Sequence, residues 1–148
     1  MLTSLKIIDH IHTDAKIIDE ISLSYEDRFI RRKKLIANNG TEFLVNLEET
    51  KSVDENYYFK FDSGADIKVI SKEENLIQIT GDNIKQIIWH IGNRHLPCQI
   101  EENRILIQED SVIKEMIIKL GGNVTNVVEK FKPEGGAYGM GRSHSHQH

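Results

Sequence analysis

The chain is poor in cysteine, in long apolar runs and in long basic runs, and each shortage excludes a class of protein. Its 148 residues include one cysteine, so no internal disulfide can form, and this usage fits a reducing compartment. No apolar run approaches the roughly 20 residues of a membrane span. The start, MLTSLKIIDHIH, lacks the continuous apolar core of a secretory signal. We therefore expect a soluble, cytoplasmic protein without a membrane partner.

The chain has no excess of positive charge and none of the common enzyme motifs. The basic run 31–34 (RRKK) is short and the formal net charge is −4, so we interpret the run as the solvated side of a strand and expect no nucleic-acid partner. The sequence contains no P-loop, dinucleotide fingerprint, HExxH or nucleophile elbow. The carboxylates of KEEN, IEEN and QEDS fall at predicted turns and element ends, as solvated charges and helix caps do. We predict that the protein is not an enzyme.

The first half of the chain has the pattern of an all-β domain. Isoleucine-rich strands are predicted at 5–11 and 16–23, followed by RFIRRKKLIA and TEFLVNL around Asn38-Asn39-Gly40, a hairpin signal. The polar stretch EETKSVDEN is predicted to lack a strand. YYFKF, the turn DSGAD and IKVIS then complete a unit that ends near Lys72.

The second half alternates strands and helices. After a strand at 75–80, apolar residues at Ile84, Ile87, Ile88 and Ile91 have the i, i+3, i+4, i+7 spacing of an amphipathic helix. Its predicted N-cap is Asp82, and the predicted left-handed residue past its end is Gly92. This predicts a helix immediately before the segment GNRH.

The remaining pattern completes a recognised unit. Strands are predicted in LPCQIEE and RILIQ, a helix over 111–120 capped by Asp110 and stopped by Gly121-Gly122, and a last strand in NVTNVVEKF. The order β-α-β-β-α-β is the ferredoxin-like pattern. We predict an α+β protein with an N-terminal all-β domain (1–72), a ferredoxin-like domain (73–132) and a flexible, histidine-containing C-terminal tail (133–148).

Three of the seven histidines lie in the last five residues. His144, His146 and His148 alternate with polar residues, and neutral imidazole is a good ligand for nickel, copper and zinc. The pattern favours a metal site and does not determine which metal it binds. An expression tag and an end without function are the alternatives, although a tag is usually an unbroken histidine run.

His95 lies just beyond the predicted helix, at the start of the next strand. Its position fits a surface side chain as well as a metal ligand, and the alternatives stay open on position alone. The neighbouring Arg94 would disfavour protonation of the imidazole if the two side chains were close. One histidine cannot fill a coordination sphere, but a two-fold symmetric dimer would place the same residue of each chain near its axis.

The other candidate ligands are weaker. His10 and His12 would share one face of a strand and could chelate, although an exposed polar face explains them as well. His90 is predicted to lie on the helix surface. Cys98 has the pattern of a small core residue, with thiolate ligation as the alternative.

Two segments carry a resemblance to a known family. IGNRHLPCQIEENRILIQED and the later FKPEGGAYG…HSHQH closely resemble the UreE-type urease accessory proteins, which are nickel metallochaperones. GNRH after a helix is the most specific match. The resemblance is strong over 75–148, whereas over the first half it rests on the β-rich composition and the hairpin around NNGTEFLVNL.

The resemblance implies a function and partners. The N-terminal domain would bind partners, and the second domain would form a homodimer in which His95 of each subunit holds one nickel ion. His144, His146 and His148 would complete the coordination or carry further ions. Imidazole ligands also accept Zn(II) or Cu(II) in vitro, so the ligand chemistry leaves the choice among these metals open. The protein would deliver Ni(II) to apo-urease through the urease accessory complex, with the accessory GTPase as direct partner.

The chain departs from the family at one segment, and two alternative functions stay open. Some members carry further histidines where this chain has residues 108–111 (QEDS), so we expect those peripheral sites to be absent. The short tail argues against nickel storage. A metal buffer or metal-responsive binding protein without urease involvement is the first alternative, and a metal-dependent hydrolase, which would need an open coordination position and a base, is the second.

Overall fold

The computed structural model describes residues 2–8 and 16–134. The chain divides into two compact units between Lys72 and Glu73. The described residues form two sheets and two helices, so the predicted mixed α+β class is confirmed. Neither helix in this part of the chain is long and apolar enough to span a membrane.

The first unit is built on a six-stranded mixed sheet. Its strands are β1 (Leu2–Ile8), β2 (Lys16–Leu23), β3 (Phe29–Ile36), β4 (Glu42–Ser52), β5 (Tyr58–Phe61) and β6 (Ala65–Ser71), and a short 3-10 helix spans Glu26–Arg28. The strand order is β2-β6-β5-β1-β4-β3. β1 pairs with β4, and β2 with β6, in parallel. The predicted first strand is displaced, since β1 begins at Leu2, and residues 9–11 lie outside the described residues.

The predicted hairpin between β3 and β4 is confirmed, but β4 is longer than predicted. Gly40 has a φ of 95°, and the N–H of Ala37 donates to the carbonyl oxygen of Thr41 at 2.8 Å. β4 continues to Ser52, which pairs with Phe29, so the prediction that EETKSVDEN lacks a strand is wrong over residues 48–52. The pairing shifts register through a bulge, and residues 48–52 are all exposed. Apolar periodicity therefore gave no signal there.

The core of the first unit draws apolar side chains from all six strands. Phe43 packs against Phe59 and Phe61 with ring centroids 5.3 and 5.6 Å apart, within the range in which tilted and edge-on ring pairs are favourable. Residues 31–34 are all exposed, as expected for a solvated basic run. The aromatic side chains are thus buried together, while the basic run stays in water.

Asp19 joins β2 to the β3–β4 turn. The side chain is 4% exposed, and its oxygens accept hydrogen bonds from the backbone N–H groups of Asn39 and Thr41 at 3.1 and 3.3 Å. The N–H of Glu20 donates to Oδ1 at 2.7 Å. Burial alone would raise the pKa of Asp19, but hydrogen bonds from Thr41, Glu20 and Asn39 outweigh it and hold the pKa below its usual value.

We expect Asp19→Ala to lower the free energy of unfolding by about 2 kcal/mol at pH 7, because three backbone N–H groups in part-buried hydrogen bonds lose their charged acceptor. Because the folded-state pKa is lowered, the contribution is present above the unfolded-state pKa of about 3.9 and is lost as pH falls through the folded-state value. Urea unfolding at pH 7 and pH 3 measures both effects. Glu20→Ala, at the exposed neighbouring position, is the control, and equal stability of the two variants at pH 7 would contradict this role.

The second unit has the predicted order β-α-β-β-α-β. Its elements are β7 (Glu73–Thr80), α1 (Ile84–Asn93), β8 (Gln99–Ile100), β9 (Ile105–Gln108), α2 (Ser111–Lys119) and β10 (Asn123–Lys130). The strands form an antiparallel sheet of order β10-β7-β9-β8. Isoleucines of β7 and β9 pack with isoleucines of both helices in one core: Ile77, Ile79, Ile105, Ile107, Ile87, Ile91, Ile113 and Ile117.

The helix caps match the sequence prediction in α2 but not in α1. Asp110 accepts hydrogen bonds from the N–H groups of Val112 and Ile113, as predicted. Asp82 does not cap α1, because the N-cap is Asn83. The Asn83 side-chain amide donates to the carbonyl oxygen of Leu120. It therefore ties the start of α1 to the end of α2 rather than capping its own helix.

Candidate metal centre

His95 is the left-handed residue that ends α1. The helix continues through Gly92 to Asn93, Arg94 is the C-cap, and His95 has a φ of 57°. The prediction that Gly92 occupies the left-handed position is therefore wrong, because the helix ends two residues later. A residue with a side chain at this φ is uncommon and strained by comparison with glycine.

A Schellman motif holds His95 in this conformation. The N–H of His95 donates to the carbonyl oxygen of Gly92 at 3.0 Å, and the N–H of Leu96 donates to that of Ile91 at 3.3 Å. Leu96 also packs against the core that contains Ile91, which is the apolar contact typical of this motif. The backbone on both sides of His95 is thereby fixed, while its side chain is exposed. β8 begins only at Gln99, so His95 lies in a loop and not at the strand start as predicted.

Arg94 links this loop to α2. Its Nε donates to the sulfur of Met116 at 3.0 Å. Met116 belongs to an apolar flank of α2 formed by Val112, Met116 and Leu120, which line an open groove of ≈ 600 Å³ with Ser111, Glu115 and Lys119. Val112 is 71% exposed. The residue beside His95 therefore contacts a surface that leaves apolar side chains in water.

The last described residues lie against the start of β8. The N–H of Lys132 donates to Oε1 of Gln99, and the N–H of Glu134 donates to the carbonyl oxygen of Cys98, both at 2.8 Å. We call residues 131–134 the terminal strap. Cys98 follows His95 by three residues, so the strap is hydrogen-bonded to the chain shortly after the loop that carries His95.

Cys98 and His90 both pack against neighbouring side chains of the second unit. Cys98 is half-buried and packs on the core of the second unit, as predicted. Burial raises the pKa of its thiol, and the charge of Glu134 adds to the effect, which disfavours the thiolate alternative at neutral pH. His90 is half-buried on α1, and its ring packs edge-on to Trp89 at 5.0 Å.

The described residues do not complete a metal site by themselves. Within 2–8 and 16–134, no group of three or more histidine, cysteine, aspartate or glutamate side chains is placed to hold an ion. His10, His12, His144, His146 and His148 lie outside the described residues. Imidazole is a donor that borderline ions such as Ni(II) accept, and His95 is the exposed histidine among the described residues.

The described residues define an α+β protein of two units, with one exposed histidine and no group of three or more side chains placed to hold a metal ion. The family model described as "UreE urease accessory protein, C-terminal domain" matches residues 74–148. Proteins named "Urease accessory protein UreE" are similar over most of the chain. That of Ruegeria pomeroyi is 50% identical over 130 residues, which cover 88% of this chain and 87% of the relative. That of Rhodobacter capsulatus is 45% identical over 130 residues, covering 88% and 83%.

The chain belongs to the UreE family of urease accessory proteins. The resemblance predicted from GNRH and the tail is thereby confirmed. The family consists of accessory proteins, which confirms the prediction that the chain is not an enzyme. Its role lies in the assembly of urease.

Proposed function

We propose that the protein is a homodimeric nickel carrier that binds Ni(II) between the His95 residues of two copies and delivers it to apo-urease. The observation that carries this proposal is the exposed His95 imidazole, held on a strained cap beside the apolar flank of α2. Strain of this kind persists where the surrounding structure fixes it, and it is concentrated at functional sites.

The apolar flank supports the choice of a second copy as the other ligand source. Val112, Met116 and Leu120 would be covered in a symmetric dimer, and Arg94 connects them to the His95 loop. In such an interface the same patch of each chain meets its counterpart. His95 would therefore be duplicated near the axis, which supplies two imidazoles from one residue.

The tail supports the completion of the coordination sphere. His144 follows Glu134 by 10 residues, and 10 residues reach at most about 35 Å. Since Glu134 is bonded to Cys98, this length suffices for His144, His146 or His148 to approach His95. A tether of this length typically raises the effective ligand concentration to about millimolar.

The donor set suits an ion that has to be released. A four-thiolate site would be closed and structural, whereas imidazoles from two chains and a tail can separate. Each imidazole has to lose its proton to bind. Nickel affinity is therefore proposed to fall as the pH is lowered.

The remaining features are part of the same proposal. The second unit is assigned to the ferredoxin-like arrangement from its strand order and is the dimerisation and metal-binding domain, 73–132. The first unit, 1–72, is the partner-binding domain, and the accessory GTPase of the urease complex is the direct partner. The protein acts in the cytoplasm, and Zn(II) or Cu(II) would compete for the site in vitro.

We expect a strain that lacks this protein to lose urease activation at low nickel and to regain it when nickel is added. A carrier raises the supply of the ion to apo-urease, and excess free nickel replaces that supply. Urease activity per unit of urease protein is the measurement. Complementation with His95→Ala should fail at low nickel and match wild type at high nickel. Full complementation at low nickel would contradict the proposal, and unchanged activation without the protein would favour a metal buffer.

A further inference from the structure

The two described sheets have four edge strands, and three of these edges are protected. β2 is bonded outside its sheet to the β3–β4 turn, since the N–H of Asn38 donates to the carbonyl oxygen of Glu20 at 2.7 Å. β3 carries four exposed cations at 31–34, and one of them, Lys33, lies opposite the fully buried Val45. β8 has only two residues. Covering loops, edge charges and short length are the means by which proteins keep a sheet edge from pairing with other chains.

β10 is the fourth edge strand, and it has none of these protections. Its eight residues pair with β7 without a bulge, from Asn123 opposite Thr80 to Lys130 opposite Glu73. Residues 123–128 (NVTNVV) contain neither a charge nor a proline. The outward N–H and C=O groups of this segment have no hydrogen-bond partner among the described residues. They form a row to which a further strand can bond.

The side chains along this edge are uncharged, and two of them are apolar on the helix side. Val124 packs against the core of the second unit, and Val128 lies on the same face and is 59% exposed. On the opposite face, Val127 is half-buried. Glu129 accepts two hydrogen bonds of 2.7 Å from Arg104, so its charge is compensated. A charged residue that packed here would lose water without gaining a partner.

We propose that the free edge of β10, residues 123–128, binds an extended, uncharged segment of another protein as an added strand of this sheet. Backbone hydrogen bonds would provide the affinity, and Val124 and Val128 would favour apolar side chains at alternate positions of the segment. An unprotected edge of this length and composition would promote aggregation if no partner covered it. The site lies in the second unit and needs no metal, so it goes beyond the partner binding assigned to the first unit.

A second copy of the chain is the alternative occupant. The proposed dimer already uses the apolar flank of α2, and a second two-fold interface on the same chain would join dimers into larger assemblies. We therefore assign the edge to a different protein, and self-association through β10 becomes an outcome of the test.

A synthetic peptide of sequence NLIQIT, blocked at both ends, is the probe. It copies residues 75–80, which pair with residues 123–128 inside the sheet, and it is uncharged. We expect it to bind the full chain with nickel removed by a chelator. Amide hydrogen exchange measured by NMR should slow by about threefold or more at alternate residues of 123–128, whose N–H groups point outward. Exchange at residues 31–34, on the charged edge strand, should not change.

Two N-methylated forms of the peptide separate strand addition from non-specific adhesion. One form is methylated at the amides that correspond to residues 75, 77 and 79, and the other at those of 76, 78 and 80. Each form loses the donors along one of its edges. Only one form should bind like the parent peptide, and the other should bind about tenfold more weakly or worse. Equal binding by both forms, or unchanged exchange in 123–128 with the parent peptide, would overturn the inference.

Val128→Lys and Val128→Thr test the same edge from the side of the protein. Threonine keeps the β-branched shape, whereas lysine places a charge on the edge, and the exposed position tolerates both. Val128→Thr should bind the peptide like wild type, and Val128→Lys about tenfold more weakly or worse. Equal binding by the two variants would contradict the site.

Two further measurements assign the occupant and isolate this inference from nickel binding. If peptide-free wild type assembles beyond a dimer in sedimentation equilibrium and Val128→Lys does not, the occupant is a second copy and the proposal is wrong. His95→Ala should bind the peptide like wild type. The peptide experiments therefore stand or fall separately from the proposed nickel site.

Discussion

His95→Ala is expected to remove the tightest nickel site of the protein, lowering its affinity by about 100-fold or more, which corresponds to about 2.7 kcal/mol. One substitution removes two imidazoles from the proposed dimer, because each copy contributes the same residue. Truncation after Arg142 should weaken the same site without removing it, since His95 remains. Isothermal titration calorimetry with Ni(II) gives affinity and stoichiometry for both variants. Unchanged affinity and stoichiometry in His95→Ala would contradict the assignment.

His95→Gly separates the role of this residue in binding from its role in the fold. Glycine adopts the observed φ of 57° without the penalty of a side chain, which is about 1 kcal/mol or more per residue. With nickel removed by a chelator, we expect His95→Gly to unfold at higher urea concentration than wild type and His95→Ala not to do so. The glycine variant should nevertheless bind nickel no better than the alanine variant. This result would mean that His95 lowers the stability of the fold but is needed for nickel binding, as is typical of functional residues in strained conformations.

Val112→Glu is expected to dissociate the proposed dimer and to reduce bound nickel with it. Val112 is 71% exposed in the single chain, and two symmetry-related glutamates would face an apolar interface without partners. The fold should tolerate the change, because Val112 is the second residue of α2 and a negative charge is favourable near a helix N-terminus. Sedimentation equilibrium measures the association constant, which we expect to fall by about 100-fold or more.

Ile118→Glu is the matched control for this experiment. Ile118 lies on the same helix and is 45% exposed, but it points about 120° away from Val112 around the helix axis. It should leave the dimer and its nickel stoichiometry unchanged. The proposed interface would be contradicted if Val112→Glu remained dimeric, or if Ile118→Glu dissociated the dimer equally.

The fold of the second unit was predictable because its signals are local. The spacing of Ile84, Ile87, Ile88 and Ile91 defines α1, and Asp110 defines the start of α2. The caps of α1 were harder to predict. Asp82 and Gly92 have suitable chemistry, but the helix ends are set by tertiary contacts. Asn83 bonds to the end of α2, and Leu96 packs on the core.

The place of His95 in the fold was only partly predictable. GNRH points to His95 as a metal ligand through family resemblance, position alone leaves its role open, and that role stays a prediction. A sequence signal for its left-handed conformation does exist, because Leu96 provides the apolar residue that a Schellman motif needs. The strap gave no such signal. Its hydrogen bonds join residues more than 30 positions apart, as in Lys132 to Gln99. A hydrogen bond from a backbone N–H to a side chain so far away in the sequence leaves no periodic pattern of residues.

The central claim is that two copies share one ion through His95. Native mass determination during nickel titration tests it most directly, because it counts ions and chains in the same particle. At the first equivalents of nickel, we expect a particle of two chains with one ion, and no such particle for His95→Ala. Monomers that each carry one ion, or a loaded dimer that forms equally well from His95→Ala chains, would contradict it.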